Sequence, residues 1–173
     1  AELIPEADRA ELSFDTADFS LQANALTQMS AGRDTGFMLR GFQLGGRLEY
    51  RGGVFSGGRQ PATASAAASR NTPQYAARLQ YNVFDPEKGY TYAGTNRGAK
   101  KILAFGPWGN GQGRFRSWGA DVTADIPLAD KSAVTAGGQY YFYDGRGQFT
   151  QTTAGIATDL LPKQHAWFLD GGW

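Results

Sequence analysis

The hydrophobic positions of this chain recur at every second residue over long stretches. Trp118, Ala120, Val122, Ala124 and Ile126 alternate with Gly119, Asp121, Thr123 and Asp125. A strand turns successive side chains to opposite faces, so the pattern predicts a strand with one apolar and one wet face. Residues 127–131 read as a short polar turn. Alternation then resumes, with Val134, Ala136, Gly138, Tyr140 and Phe142 against Thr135, Gly137, Gln139, Tyr141 and Tyr143. Each of these strands runs for about ten residues, where strands of globular proteins usually have about five or six. A tilted strand needs about 9–11 residues to cross a bilayer. The segment 114–143 therefore predicts a transmembrane β-hairpin.

The same period recurs upstream. A strand over 35–43 sets Thr35, Phe37, Leu39 and Gly41 against Met38 and Arg40, and Gly45-Gly46 makes a tight turn after it. The next strand, 47–55, sets Leu48, Tyr50, Gly52 and Val54 outward and Glu49, Arg51 and Gly53 inward. A third, 74–84, sets Tyr75, Ala77, Leu79, Tyr81 and Val83 outward and Ala76, Arg78, Gln80 and Asn82 inward. A fourth over 100–108 alternates too poorly to assign its faces, and Asn110-Gly111 fits a primed hairpin turn after it. A last strand covers 163–173. Residues 56–72, 85–98 and 144–162 read as connections rich in Gly, Ser, Thr and Tyr. Residues 1–32 are irregular, with a short helix conceivable at 4–11 behind Pro5. The expectation is an all-β, antiparallel up-and-down barrel with seven strands, or eight if one precedes residue 22. Connections after the first, third and fifth strands fall on one side and the others opposite.

Composition agrees with a barrel. Gly is 24 of 173 residues, about twice the usual share of roughly 7 %. Aromatics reach 13 %, and Tyr50, Tyr75, Tyr81, Tyr140 and Tyr143 fall at or near strand ends, where an aromatic belt would put them. No apolar run approaches the roughly 20 residues of a membrane helix. The mean hydropathy of −0.43 looks soluble, but a transmembrane barrel looks soluble on this measure too, because every second residue of its strands faces water. A net charge of +1 favours no polyanion, so no nucleic-acid partner is expected. The chain has no cysteine, hence no disulfide framework and no thiolate metal site.

The chemistry-bearing residues are few. Arg40, Arg51 and Arg78 fall on inward faces of three successive strands, together with Glu49, Asp121 and Asp125. Two readings stay open: an electropositive track that draws anions through a channel, or arginines paired with carboxylates to brace the wall. Lys100 and Lys101 would extend a track at a pore mouth. Arg33-Asp34 reads as an ion pair at a barrel rim. The run 109–114 resembles a glycine-rich phosphate loop, but such loops open a helix, and an alternating strand follows here. His165 is the only histidine and supports no metal site. Asp121 and Asp125 lie about 13 Å apart along a strand, too far for a hydrolytic carboxylate pair. No catalytic set is apparent, and neither an enzyme nor a cofactor is expected.

Several blocks, in order and spacing, resemble the phosphate-selective porins (the porin O and P family). They are 32–41 (GRDTGFMLRG), 47–57 (RLEYRGGVFSG), 78–85 (RLQYNVFD), 100–106 (KKILAFG), 118–121 (WGAD) and 139–144 (QYYFYD). The resemblance covers roughly residues 30–173. It implies a bacterial outer-membrane protein, a sixteen-stranded barrel of which this chain is a central fragment, and a passive channel for phosphate or other small anions. It implies the lipid bilayer and small anions as partners, allows a homotrimer, and makes 1–32 the counterpart of a loop that folds into the pore. A complete eight-stranded barrel is the alternative architecture. A scaffold barrel of an envelope complex without useful conductance is the alternative function, and a soluble β-rich binding domain is a third.

Overall fold

The computed structural model describes residues 36–55, 72–88, 96, 98–129, 132–147, 150–153, 155–159 and 162–173. The expected N-terminal segment, including Arg33 and Asp34, and most of the 56–72 connection lie outside them. Nine strands occur among the described residues: β1 (Gly36–Gln43), β2 (Leu48–Phe55), β3 (Gln74–Asn82), β4 (Ile102–Gln112), β5 (Phe115–Pro127), β6 (Ala133–Asp144), β7 (Thr150–Thr153), β8 (Ile156–Asp159) and β9 (Gln164–Gly172). Seven form one sheet in the order β1-β2-β3-β4-β5-β6-β9, every neighbour antiparallel. The sheet is an up-and-down meander and is not closed, because β1 and β9 do not pair. The proximal end carries the 44–46, 83–101 and 128–132 connections; the distal end carries 56–73, 113–114 and 145–163.

Two expectations about the connections are corrected. The turn between β4 and β5 is not Asn110-Gly111 but 113–114, where Gly113 takes φ 57°. Asn110 and Gln112 continue the buried face of β4, so the strand runs past the Asn-Gly pair and bends where the next glycine supplies a left-handed conformation. The 144–162 connection is not a plain loop either. It holds the β7–β8 hairpin, whose Thr153 and Ile156 are partners around Gly155 at φ 81°.

The two faces of the large sheet are inverted relative to a soluble protein. Among the described residues the buried hydrophobic side chains are Ala76, Ile102, Ala104, Trp108 and Phe115. The buried polar and charged ones are far more numerous, Glu49, Arg51, Arg78, Gln80, Asn82, Asp121 and Asp125 among them. On the opposite face Phe37, Leu39, Val54, Tyr75, Leu79, Phe105, Trp118, Trp167 and Leu169 are exposed. The alternation in β3 is strict, buried at Gln74, Ala76, Arg78, Gln80 and Asn82 and exposed between them. The faces of β4, unassignable from its sequence, are now fixed. Ile102, Ala104, Gly106, Trp108, Asn110 and Gln112 share the buried side.

The proximal connection between β3 and β4 turns back over the buried face. The ladder first continues beyond the strands, with Val83 N–H donating to Leu103 O at 2.8 Å and Asp85 N–H to Lys101 O at 3.0 Å. Glu87 is then buried and accepts a hydrogen bond from Gln80 Nε2 at 3.1 Å. At the other end of the connection the Asn96 N–H donates to the Asp125 carboxylate.

Candidate functional site

Register places the three arginines in one line. Arg40 faces Arg51 across β1–β2, and Arg51 faces Arg78 across β2–β3. Like charges directly opposite destabilise a sheet, and the neighbouring row supplies the counter-charges. Glu49, one register step toward the proximal end, bonds both Arg40 and Arg51, the latter through Nε at 2.6 Å. Arg40 also lies over the Phe42 ring, 4.7 Å from its centroid, a cation–π contact. Arg40 keeps 18 % of its side chain exposed, while Arg51 and Glu49 are buried.

Arg78 pairs differently. It reaches across β4 to Asp121 on β5, with both guanidinium nitrogens on the carboxylate, one of them at 2.9 Å. Nη2 also donates to Gln80 Oε1 at 3.1 Å, and Nη1 to Gly106 O at 3.3 Å. The crossing passes over Gly106, where an added Cβ would collide with the guanidinium and lie 2.7 Å from Asp121 Oδ2. A bidentate Arg–carboxylate fork of this kind is the strong form of the ion pair, and here it is fully enclosed, with side-chain exposures of 0 % and 1 %.

The arginine row runs on into aromatic residues. Arg78 faces Trp108, Trp108 faces Gly119, and Gly119 faces Tyr141. Trp108 and Tyr141 meet edge-on over Gly119, with centroids 6.0 Å apart, and a Cβ at Gly119 would lie 2.7 Å from Trp108 Cζ2. Tyr143 stacks on Tyr141 with rings 9° from parallel. It therefore lies with Tyr141 on the polar face, the side on which the alternation of the strand sets it.

The remaining expected residues lie apart from this row. Lys100 and Lys101 are exposed and precede β4. The Lys101 ammonium sits 4.2 Å from the centroid of the Phe84 ring, and the Lys101 backbone N–H donates to Asp85 Oδ2 at 2.8 Å. Neither lysine reaches the arginine row in register. Asp125 lies on the buried face but takes the Asn96 N–H rather than an arginine among the contacts described. The sequence reading missed Gly106, Gln80, Glu87, Trp108 and Tyr141.

The exposed face has a sharp charge boundary. Leu103 to Gly111 on β4, Trp118 to Ile126 on β5 and Val134 to Phe142 on β6 carry no charged residue on that side. Lys101, Arg116 and Asp144 stand just beyond these three runs. Each run rises about 27 Å along its strand at ~3.4 Å per residue, roughly 19–22 Å once tilted by ~35–45°.

Among the described residues no group of His, Cys, Asp and Glu could hold a metal ion, and no helix is long and apolar enough to cross a membrane. Comparison with protein-family models, with curated proteins and with solved structures finds no match for this chain.

Proposed function

We propose that the chain is part of a transmembrane β-barrel of the bacterial outer membrane and serves as a passive diffusion channel biased toward small anions such as phosphate. The observation that carries this reading is the inversion of the two faces. A charge-free apolar surface bounded by Lys101, Arg116 and Asp144 comes within a few ångströms of the apolar band of about 25 Å expected of a barrel exterior. Water would be a poor solvent for that surface, since monomeric soluble proteins rarely expose apolar patches beyond a few hundred Å². The buried face suits a hydrated interior. The Asn82 side-chain amide, Asn110 Oδ1 and Ser117 Oγ are enclosed there with no hydrogen-bond partner among the described residues, and buried polar groups of this kind are ordinarily satisfied by water.

An open sheet edge is not viable in lipid, so the reading requires further strands beside β1 and β9. The resemblance to phosphate-selective porins suggests a sixteen-stranded barrel, with an eight-stranded one as the alternative. Anion bias rests on the Arg40, Arg51 and Glu49 group, two cations around one carboxylate. A second reading, a barrel that serves as scaffold in an envelope complex without useful conductance, is favoured by the closed Arg78–Asp121 pair, which braces the wall and offers no charge to a solute. Refolding into planar bilayers separates them. Stepwise, anion-selective conductance is expected. Insertion without conductance selects the scaffold, and solubility without detergent removes both in favour of a soluble β domain.

A further inference from the structure

The exposed apolar face ends at the distal end of β5, β6 and β9 in a cluster that is neither plain belt nor plain rim. Trp118 lies 5.5 Å from both Tyr140 and Phe142 between ring centroids, and Phe142 lies 5.0 Å from His165. The Tyr140 hydroxyl and His165 Nδ1 are hydrogen-bonded at 2.6 Å, which leaves Nε2 as the ring nitrogen able to face a ligand. Lys163 holds its ammonium 5.7 Å from the Phe142 centroid. Arg116 stands two residues beyond Trp118 on the same side of β5 with Asp144 as one register partner, but its Nη1 turns toward β4, donating to Gly113 O at 2.8 Å and Phe115 O at 2.7 Å beside Gly111. Asp144 is itself engaged by Arg146 at 3.2 Å.

The cluster therefore joins a flat aromatic surface to the Lys163 ammonium, while Arg146 is paired with Asp144 and Arg116 stands at its border. On the same side of the sheet the strands carry no other charge. We infer that this corner binds the anionic headgroup of a membrane lipid, with the lipid chain lying along Trp118, Phe142 and Trp167 and the phosphate held by Lys163 and His165 Nε2, which flank the same Phe142 ring. The inference rests on the membrane reading above. A free phosphate would use the cations but have no use for the exposed rings beside them. A lipid uses both, since aromatic rings settle at the headgroup level and basic side chains near a membrane surface attract anionic headgroups.

The test is tryptophan quenching of the refolded 173-residue chain in phosphatidylcholine vesicles containing either brominated phosphatidylglycerol or brominated phosphatidylcholine. The ratio of the two quenching constants reads the preference for the anionic lipid. The native chain should favour it several-fold. K163E should lower the ratio about fivefold, R116E should lower it less, and K163R should keep it. Equal quenching by both lipids, or an unchanged ratio in K163E, would overturn the site while leaving membrane insertion intact. Loss of the preference on adding inorganic phosphate, but not sulfate at equal ionic strength, would reassign the site to the free anion. A chain that enters neither vesicle overturns the inference together with the membrane reading.

Discussion

Arg78 and Asp121 sit on strands that are not neighbours, and they meet because the strand between them contributes Gly106, which has no side chain to block the crossing. The pair is enclosed, so its energetics are those of a buried ion pair: removal of one partner leaves an uncompensated charge and costs about 3–5 kcal/mol. Asp121→Asn should destabilise the folded chain on that scale in urea titrations from detergent or vesicles. Gly106→Val should destabilise comparably, because its side chain occupies the path of the guanidinium. In the double variant the second change should add little, since both remove one interaction. Full additivity would mean that the two residues act independently and that the crossing does not hold the wall together.

Val122 tests which solvent the exposed face meets. It sits mid-strand on the charge-free side and is 38 % exposed. Val122→Arg should cost about 2–4 kcal/mol if the position lies near the middle of a bilayer. On a water-exposed sheet the same change would fall within about 0.5 kcal/mol. Thr123 would have been the natural control, but it is buried, and a long side chain there would overpack. Arg146→Ala, on an exposed side chain beyond β6, is the better reference for a neutral surface change. A negligible cost at Val122 would return the chain to the soluble class.

The fold was legible wherever alternation was strict. β1, β2, β3, β5 and β6 showed their faces directly, because a one-residue slip would bring Glu49, Arg78 or Asp121 to the apolar side. β4 was illegible because Ile102, Ala104 and Trp108 are apolar on the polar face while Pro107 and Gly109 carry little side chain on the apolar one. The misplaced turn had a larger consequence. A two-residue turn at Asn110-Gly111 would set Gly106 opposite Phe115, whereas the turn at 113–114 sets it opposite Asp121. The Arg78 crossing depends on that register. A sequence shows which residues share a face, but the partner of Arg78 follows only from how three strands align.

The contact between Asn96 and Asp125 makes a local prediction. The amide donates to a carboxylate on the buried face, and hydrogen bonds to charged groups contribute about 1.5–3 kcal/mol. Asp125→Ala should therefore speed amide exchange at Asn96 by roughly 10–100-fold, while the ladder amides of β5 beside it keep their protection. Unchanged exchange at Asn96 would mean that the connection is held over the sheet by contacts other than this one. Faster exchange along all of β5 would mean that Asp125 supports the strand rather than the connection.

The arginine row yields the functional prediction, and the geometry sharpens where to look. Arg78 is closed off by Asp121, so its replacement would report on stability and not on permeation. Arg40 and Arg51 are adjacent in register and share Glu49, and neighbouring strands lie about 4.8 Å apart. That is well inside the Debye length of about 8 Å at physiological salt, so, among the described residues, the group presents one net positive charge to a passing ion. Replacing both Arg40 and Arg51 by Glu reverses that charge and should move the reversal potential in a salt gradient from anion toward cation preference. Glu49→Gln should shift it the opposite way, because it removes the counter-charge and leaves both cations. Both shifts should shrink at high salt as screening grows. The opposed signs separate an electrostatic role from mere damage, which would alter conductance or open probability without such a pattern. If both variants conduct normally and neither moves the reversal potential at low salt, Arg40 and Arg51 are wall braces like Arg78, and the anion preference assigned to this group is wrong.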